Sequence, residues 1–488
     1  MPIVPGLDAV LQGIARTARE RLGVQYAELR FVDSETERLR IRNGVPEFLG
    51  TRTERGVGVR VLHSGAWGFA CTHRVDEGSL WSAVERAVEI GRESARILHA
   101  PVDFPPREAQ RGRYQTPLTE DPFTVSLERK FADLESAERI LRGNGAPVRA
   151  SEAWMTWTRI AKLLFTSEGS ELEQDFVYGD VGMLLVAVSS GGRSQRRSFP
   201  SVPGASGFQG GYERVAALEL ADRAHSLRSE ALELLDASEC PGGRRDVILA
   251  TDQLALQIHE SCGHPTELDR ALGQEITLAG GSFLQPTQLG RLRYGSEIVT
   301  LNADSTTRGG MGTFGWDDEA TPARCAPLVQ EGLFVDYLSS RETSVAIGRE
   351  STATVRAESW NRLPMIRMVN VSLAPRSGSL EDLIADTKDG ILFQSNQSWS
   401  IDDMRLNFQF STELAWEIKQ GKRTRLLRDA RYTGITPEFW GSCDAICGPE
   451  EFELCGFSNC GKGDPVQIMH VGHGTAPARF RAVEVGHT

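Results

Sequence analysis

Leu7, Val10, Leu11, Ile14 and Ala18 recur at helical spacing and predict an amphipathic helix over residues 7–22. The period then changes to two: Tyr26 to Val32 alternates, as does Glu37 to Ile41 around Leu39 and Ile41. Gly56 to Leu62 and Ala66 to Ala70 predict a hairpin turning at Ser64-Gly65. Leu80 to Leu98 reads as a long helix with Trp81, Val84, Ala87, Val88 and Ile97 inward. Helix, antiparallel strands and helix in that order predict an α+β unit. Pro101 to Pro106 and Gln110 to Pro122 read as a proline-rich connection, and Ser126 to Leu141 as a helix. Residues 152–190 predict a meander of three or more strands, of which Met183 to Val188 is apolar throughout and expected to be covered on both faces. Ser189 to Gly211 is rich in glycine and serine and reads as a mobile loop. Tyr212 to Leu235 predicts a helix, closed by Glu239-Cys240-Pro241-Gly242-Gly243.

Past this point the pattern is mostly β. Cys325 to Val329, Leu333 to Leu338, Phe408 to Phe410, Leu414 to Ile418 and Thr424 to Leu427 predict strands; helices are expected near 252 and over Ser379 to Thr387. A glycine-rich loop, Arg308 to Gly315, precedes Trp316-Asp317-Asp318-Glu319. The expectation is an α+β fold of two domains. Residues 1–240 form an N-terminal α+β domain, and 241–488 a mostly antiparallel β domain carrying the helix near 252.

At 488 residues the chain exceeds one ordinary domain, and 40% hydrophobic with 25% charged residues is the balance of a soluble globular protein. A net charge of −12, with Arg193-Ser194-Gln195-Arg196-Arg197 the nearest approach to a basic run, argues against nucleic-acid binding through phosphate neutralisation. No apolar run is long enough to span a bilayer, and no basic-then-apolar signal segment is visible, so a cytoplasmic protein is expected. Eight cysteines in so long a chain are expected to be thiols or ligands.

The chemistry centres on His259-Glu260-x-x-x-His264. Val247-Ile248-Leu249-Ala250 leads into it, Thr251 suits an N-cap, and Asp252 suits a helix N-terminus. Two imidazoles with an acid after the first form the ligand, base, ligand arrangement of zinc hydrolases. The spacing is unusual, since histidines five apart diverge by about 140° on a regular helix. They can share a metal if the helix holds a π-type bulge or stops between them. Gly263 permits such a departure and Pro265 disfavours helical geometry at His264. The alternative is a helix end carrying two histidines that suit its dipole.

A catalytic zinc needs a third ligand. Cys460 lies in Ser458-Asn459-Cys460-Gly461-Lys462-Gly463, read as a loop whose glycines allow close approach, with Lys462 favouring the thiolate. His470 and His473 are further candidates, and Cys443, Cys447, Cys455 and Cys460 could instead build a structural zinc site.

The segment His259-Glu260-x-x-Gly263-His264-x-x-Glu267-x-Asp269, followed by Cys460-Gly461-Lys462, resembles the TldD branch of the TldD/PmbA metallopeptidases. Tyr26-Ala27-Glu28, Gly56 to Arg60, Asp317 to Pro322, Arg356-Ala357 and Pro364-x-x-Arg367-Met368-x-Asn370 extend the likeness over nearly the whole chain. The resemblance implies a zinc peptidase with His259, His264 and Cys460 as ligands and Glu260 as general base. It implies small or unfolded peptides as substrates, or ribosomal peptide precursors, and a dimer, either with itself or with a metal-free PmbA/TldE-type relative. Pro265 and the tail Val466 to His473 depart from the family pattern, which puts substrate and partner choice in doubt more than activity. Zinc would bring the pKa of water to roughly 7 and Glu260 would carry its proton. Glu267 and Asp269 are expected to fix the imidazoles, and Asp317 and Asp318 to hold the site or contact substrate. The rival reading, a peptide-binding or regulatory subunit with a structural metal, leaves Glu260 without a task.

Overall fold

The computed structural model describes residues 6–144, 147–201, 207–275 and 280–486. The first half runs α1 (Leu7–Leu22), β1 (Tyr26–Arg42), β2 (Val45–His63), β3 (Ala66–Thr72), α2 (Glu77–Ala95), β4 (Arg111–Gln115) and α3 (Leu127–Arg142). It continues through β5 (Val148–Thr166), β6 (Glu171–Val188), β7 (Ser194–Phe199), β8 (Gly207–Gln209), α4 (Glu213–Ala217) and α5 (Leu220–Leu234). One sheet takes the order β3-β2-β1-β5-β6-β4, with β7 and β8 also on β6. Strand β1 shows how it is layered, because side chains alternate between the faces of a strand. Its odd positions Ala27, Leu29, Phe31, Leu39 and Ile41 are buried, the first three with α1 and α2, the last two with α3 and α5. Its even positions Glu28, Arg30, Val32, Ser34, Thr36 and Arg38 therefore look the other way, toward the second half.

Several local expectations change. The stretches 26–32 and 37–41 are one strand, and 152–190 lies in two strands of 19 and 18 residues that also take in the flanking residues. Strand β1 turns into β2 at Asn43-Gly44, both with positive φ (50° and 78°), the pair a tight hairpin requires. Helix α2 ends at Ala95, which leaves Ile97 82% exposed. A strand, β4, lies inside the proline-rich connection and pairs parallel with β6. Met183, Leu185 and Ala187 are buried while Leu184, Val186 and Val188 are half-buried, so the end of β6 is covered on one face. The glycine/serine-rich segment supplies β7 and β8, its residues 202–206 lying outside the described ones. The helix expected over 212–235 breaks at Glu219, where φ is 48°.

The second half holds β9 (Ser238–Glu239), β10 (Gly243–Leu249), α6 (Thr251–Ile258), α7 (Leu268–Ala271), β11 (Leu301–Asp304), β12 (Cys325–Gln330) and β13 (Leu333–Phe334). Short strands β14 (Val355–Arg356), β15 (Met365–Ile366) and β16 (Val371–Leu373) follow. Long ones come next: β17 (Asp389–Ile401), β18 (Asn407–Lys419), β19 (Lys422–Arg428) and β20 (Arg431–Ile435). Last are β21 (Cys443–Ile446), β22 (Glu453–Lys462), β23 (Gln467–Thr475) and β24 (Ala478–Val485). The large sheet has the order β17-β10-β24-β20-β18-β19-β9, and an added β17–β18 pairing closes five of its strands into a ring. A four-stranded sheet, β13-β12-β11-β16, and the hairpins β14-β15 and β22-β23 complete an α+β, mostly β architecture.

The halves meet through both apolar and charged groups. Phe176 and Tyr178 of β6 belong to the same core as Met311, Phe314, Met368 and Phe457. On the even face of β1, Arg30 lies 3.5 Å from Glu28 and 3.6 Å from Asp318, while Arg60 pairs with Glu28 at 2.8 Å and Glu319 at 3.4 Å. Lys162 also pairs with Asp318. Glycines permit this contact: a Cβ on Gly58 would sit 2.2 Å from the Trp360 carbonyl oxygen.

Candidate metal centre

The local sequence builds the centre from α6 onward. Strand β10 delivers a fully buried Val247-Ile248-Leu249, and the helix caps on Ala250, one residue before the expected Thr251. Asp252 accepts from the Gln253 N–H at 2.9 Å and from the Ser395 hydroxyl at 2.8 Å. Apart from Asp252 the helix is buried all round, and its polar Gln253 and Gln257 are satisfied through the Tyr432 hydroxyl. After Ile258 it widens into a π turn over His259–Gly263, where the His264 N–H bonds to the His259 carbonyl. That extra residue brings the two imidazoles to one side, ring centroids 4.8 Å apart. A regular helix would set them about 140° apart.

The expected reasons for the bulge are corrected. Gly263 keeps helical angles (φ −66°, ψ −64°); its small size matters instead, since a Cβ would stand 1.9 Å from Met368 Sδ and oblige that side chain to shift. His264 also stays helical (φ −61°, ψ −43°) although Pro265 follows it. Pro265 sits early in the 3-10 turn His264–Thr266, a position that has no intrahelical donor to lose.

Cys460 lies in strand β22, opposite Met469 of β23, where a loop was expected. Its sulfur and one nitrogen each of His259 and His264 lie within 4.8 Å of one another, and all three residues are buried. Among the described residues this is the one group of three or more His, Cys, Asp and Glu side chains at metal-binding separation; Cys443, Cys447 and Cys455 do not assemble with Cys460 into a second. Burial pushes the Cys447 thiol up to about 12 and raises those of Cys443 and Cys455.

Hydrogen bonds select the imidazole tautomers. His473 donates from Nδ1 to the Val371 carbonyl at 2.9 Å, so its Nε2 accepts from His259 Nδ1 at 2.8 Å. His264 donates from Nδ1 to Glu267 at 3.0 Å. Both Nε2 lone pairs are thereby left for a metal. Burial lowers the pKa of His259 and brings that of His264 to about 4, keeping both imidazoles in the neutral, ligating form. Burial raises the Cys460 thiol, but Arg367 and the His264 bond outweigh it and leave it below the ordinary value. Two imidazoles and a thiolate are a zinc-type donor set, and the residues fit that metal.

The remaining sequence candidates divide. Glu267 supports His264; burial would raise its pKa, but Lys462 and Arg270 hold it well below the carboxylate range. Asp269 grips Lys462 at 2.7 and 2.8 Å, while neither imidazole is among its bonds, so Lys462 faces acids; Arg367, which donates to the Cys460 carbonyl, is the cation that favours the thiolate most. Asp317 and Asp318 lie at the junction of the halves: Asp317 accepts the N–H groups of Glu319, Thr321 and Val355, and Asp318 engages Arg30, Lys162 and the Ala357 N–H. His470 stacks on Tyr178, centroids 4.3 Å apart, away from the cluster. Glu260 meets a partner that no local pattern singles out, Arg405, whose Nη1 lies 2.9 Å from its carboxylate. Arg405 takes a left-handed φ of 62°, held by its N–H on the Asp402 carbonyl at 2.9 Å and by the Thr436 hydroxyl on its own carbonyl at 3.0 Å. An arginine in that region is a strained choice of the kind found at functional sites.

Comparison with known proteins agrees with this geometry. Profiles described as PmbA/TldA metallopeptidase domain 1, central domain and C-terminal domain match residues 27–94, 120–235 and 242–486. A metalloprotease of Methanocaldococcus jannaschii is 28% identical, with 92% of this chain and 94% of that one covered. A metalloprotease TldD homolog of Haemophilus influenzae is 26% identical, covering 95% and 93%. The crystal structure of TldE from Thermococcus kodakarensis superposes with a TM-score of 0.71 at 15% identity, covering 98% of this chain and all of that one (100%).

Proposed function

The chain belongs to the PmbA/TldD metallopeptidase family, on its TldD branch, and from that premise we propose that it is a zinc-dependent peptidase of small or unfolded peptides. Processing of ribosomal peptide precursors falls within this reading. The observation that carries it is the convergence of His259, His264 and Cys460 within 4.8 Å, beside Glu260 on the same turn. These three side chains would hold the ion. Bound zinc supplies Lewis acidity, polarising a scissile carbonyl and making water acidic near neutral pH. Glu260 takes the proton of the attacking water as the C–O bond forms and then passes it to the leaving amine as the C–N bond breaks. Arg405 fixes the orientation of the Glu260 carboxylate. His473 and Glu267 fix the rings of His259 and His264.

We place the enzyme in the cytoplasm as a dimer, either with itself or with a metal-free TldE-type relative. Eight free thiols suit a reducing compartment. No helix among the described residues is long and apolar enough to cross a membrane. The deciding experiment is elemental analysis beside peptide turnover. About one zinc per chain, lost in Cys460→Ala, with turnover reduced by about 10² to 10⁴ in Glu260→Gln, is expected. Zinc binding with turnover unchanged in Glu260→Gln would leave only a structural metal.

A further inference from the structure

A trough lies between the even face of β1 and the second half. Two cavities of about 470 and 490 Å³ form it, sharing Arg38, Phe48, Thr158, Tyr178, Ser458 and His470. Met469, part of its wall, is the partner of Cys460 across the β22-β23 hairpin, while His259, Glu260, His264 and Cys460 themselves line neither cavity.

The trough is rich in cations although the chain carries −12 overall. Most are matched: Arg52 with Glu54, Arg40 with Glu152, Arg362 with Glu358 and Lys162 with Asp318. Among the described residues, Arg38 and Arg356 have no carboxylate partner. Arg38 is exposed, but Arg356 is only 7% exposed. Arg356 donates from Nη1 to the His470 carbonyl at 2.9 Å and from Nη2 to the Met368 carbonyl, which leaves Nε without a partner. Carbonyls satisfy N–H groups but do not cancel a charge, and a buried cation without a counter-ion is costly. Burial accordingly brings the Arg356 pKa down to about 10. Asp318, the nearby acid, is already held by Arg30 and Lys162. A guanidinium kept this way in the wall of a cavity suits an arriving anion.

We propose that the trough binds a carboxylate of an acidic peptide, with Arg356 as the residue that recognises it and Arg38 as an accessory cation. That the ligand is a peptide rests on the peptidase reading above; that it carries a carboxylate rests on Arg356 alone. The test uses the full chain with Glu260→Gln, which prevents turnover, and fluorescence anisotropy with labelled hexapeptides. One peptide has two glutamates and an amidated end, one has glutamines and an amidated end, and one has glutamines and a free end. The first isolates a side-chain carboxylate and the third a terminal one. One of these carboxylate peptides is expected to bind at least about tenfold more tightly than the neutral amide. Arg356→Met should remove that preference, Arg356→Lys should keep part of it, and Arg38→Gln should weaken it. The Arg38 variant sits at an exposed position and keeps the test open should Arg356→Met fail to fold. Equal binding of all three peptides, no binding of any, or a preference that survives loss of Arg356 would overturn the proposal. Turnover by the native chain without charge preference sinks this proposal and spares the peptidase reading. Charge-selective binding without turnover does the reverse.

Discussion

At the scale of single residues, the candidate centre depends on side chains that touch no metal. His473 holds the His259 ring in the tautomer that presents Nε2, and replacing it leaves that ring free to turn. His473→Ala is expected to weaken zinc binding by about 10- to 100-fold, read by competition with a chromophoric chelator. Unchanged affinity would mean that the π turn alone orients the ligand. Arg405→Met should lower kcat by about tenfold or more with little change in KM, since it leaves the base present but misaimed. Arg405→Lys should restore part of the loss, because the cation returns without the fixed geometry of a guanidinium. The candidate motif was legible in the sequence as two histidines around a glutamate. Arg405 was not, because it reaches Glu260 from a loop 145 residues away.

At the scale of the element, the π turn is what makes an unusual spacing workable, and its tightest point is Gly263 against Met368. Gly263→Ala must move Met368 Sδ, which a Cβ would approach to 1.9 Å. A cost of about 1–3 kcal/mol is expected from overpacking, measured by urea unfolding. Adding Met368→Ala should recover part of it, and strictly additive effects would show that the contact is not the cause. The bulge was foreseeable from the five-residue spacing, which no regular helix can reconcile with one metal. Its cause was misplaced: backbone freedom at Gly263 and the local preference of Pro265 were the available signals, yet both residues follow ordinary helical geometry. Strand lengths were likewise misjudged, since alternation marks a strand where one face is apolar and loses sight of it through Asp33 to Thr36, where the sequence is polar on both sides.

For the whole molecule, the two halves are joined by buried charge. Burial would raise the Asp318 pKa, but Lys162 and Arg30 outweigh it and hold the carboxylate below its ordinary value. A carboxylate whose folded pKa is depressed contributes stability above its unfolded pKa and loses it as pH falls through the folded one. Thermal stability should therefore drop as pH falls below about 4, and Asp318→Asn should flatten that part of the profile. At neutral pH the same variant strands Lys162, whereas Arg30 keeps Glu28, and it is expected to cost about 3–5 kcal/mol. A variant as stable as the parent at pH 7 would mean that solvent reaches the pair.

The sequence by itself determined the α+β character, the helix carrying His259, Glu260 and His264, and Cys460 as a candidate to join them. Those features follow from local period, spacing and residue chemistry. Only the tertiary structure decided that Asp318 binds the halves together, that Lys462 faces Glu267 and Asp269 while Arg367 lies at Cys460, and that His473 bonds the His259 ring. The physical reason is range. Backbone period and helix geometry act over a few residues, whereas the partner of a buried charge or ring nitrogen is whatever distant strand packing brings within 3 Å or so.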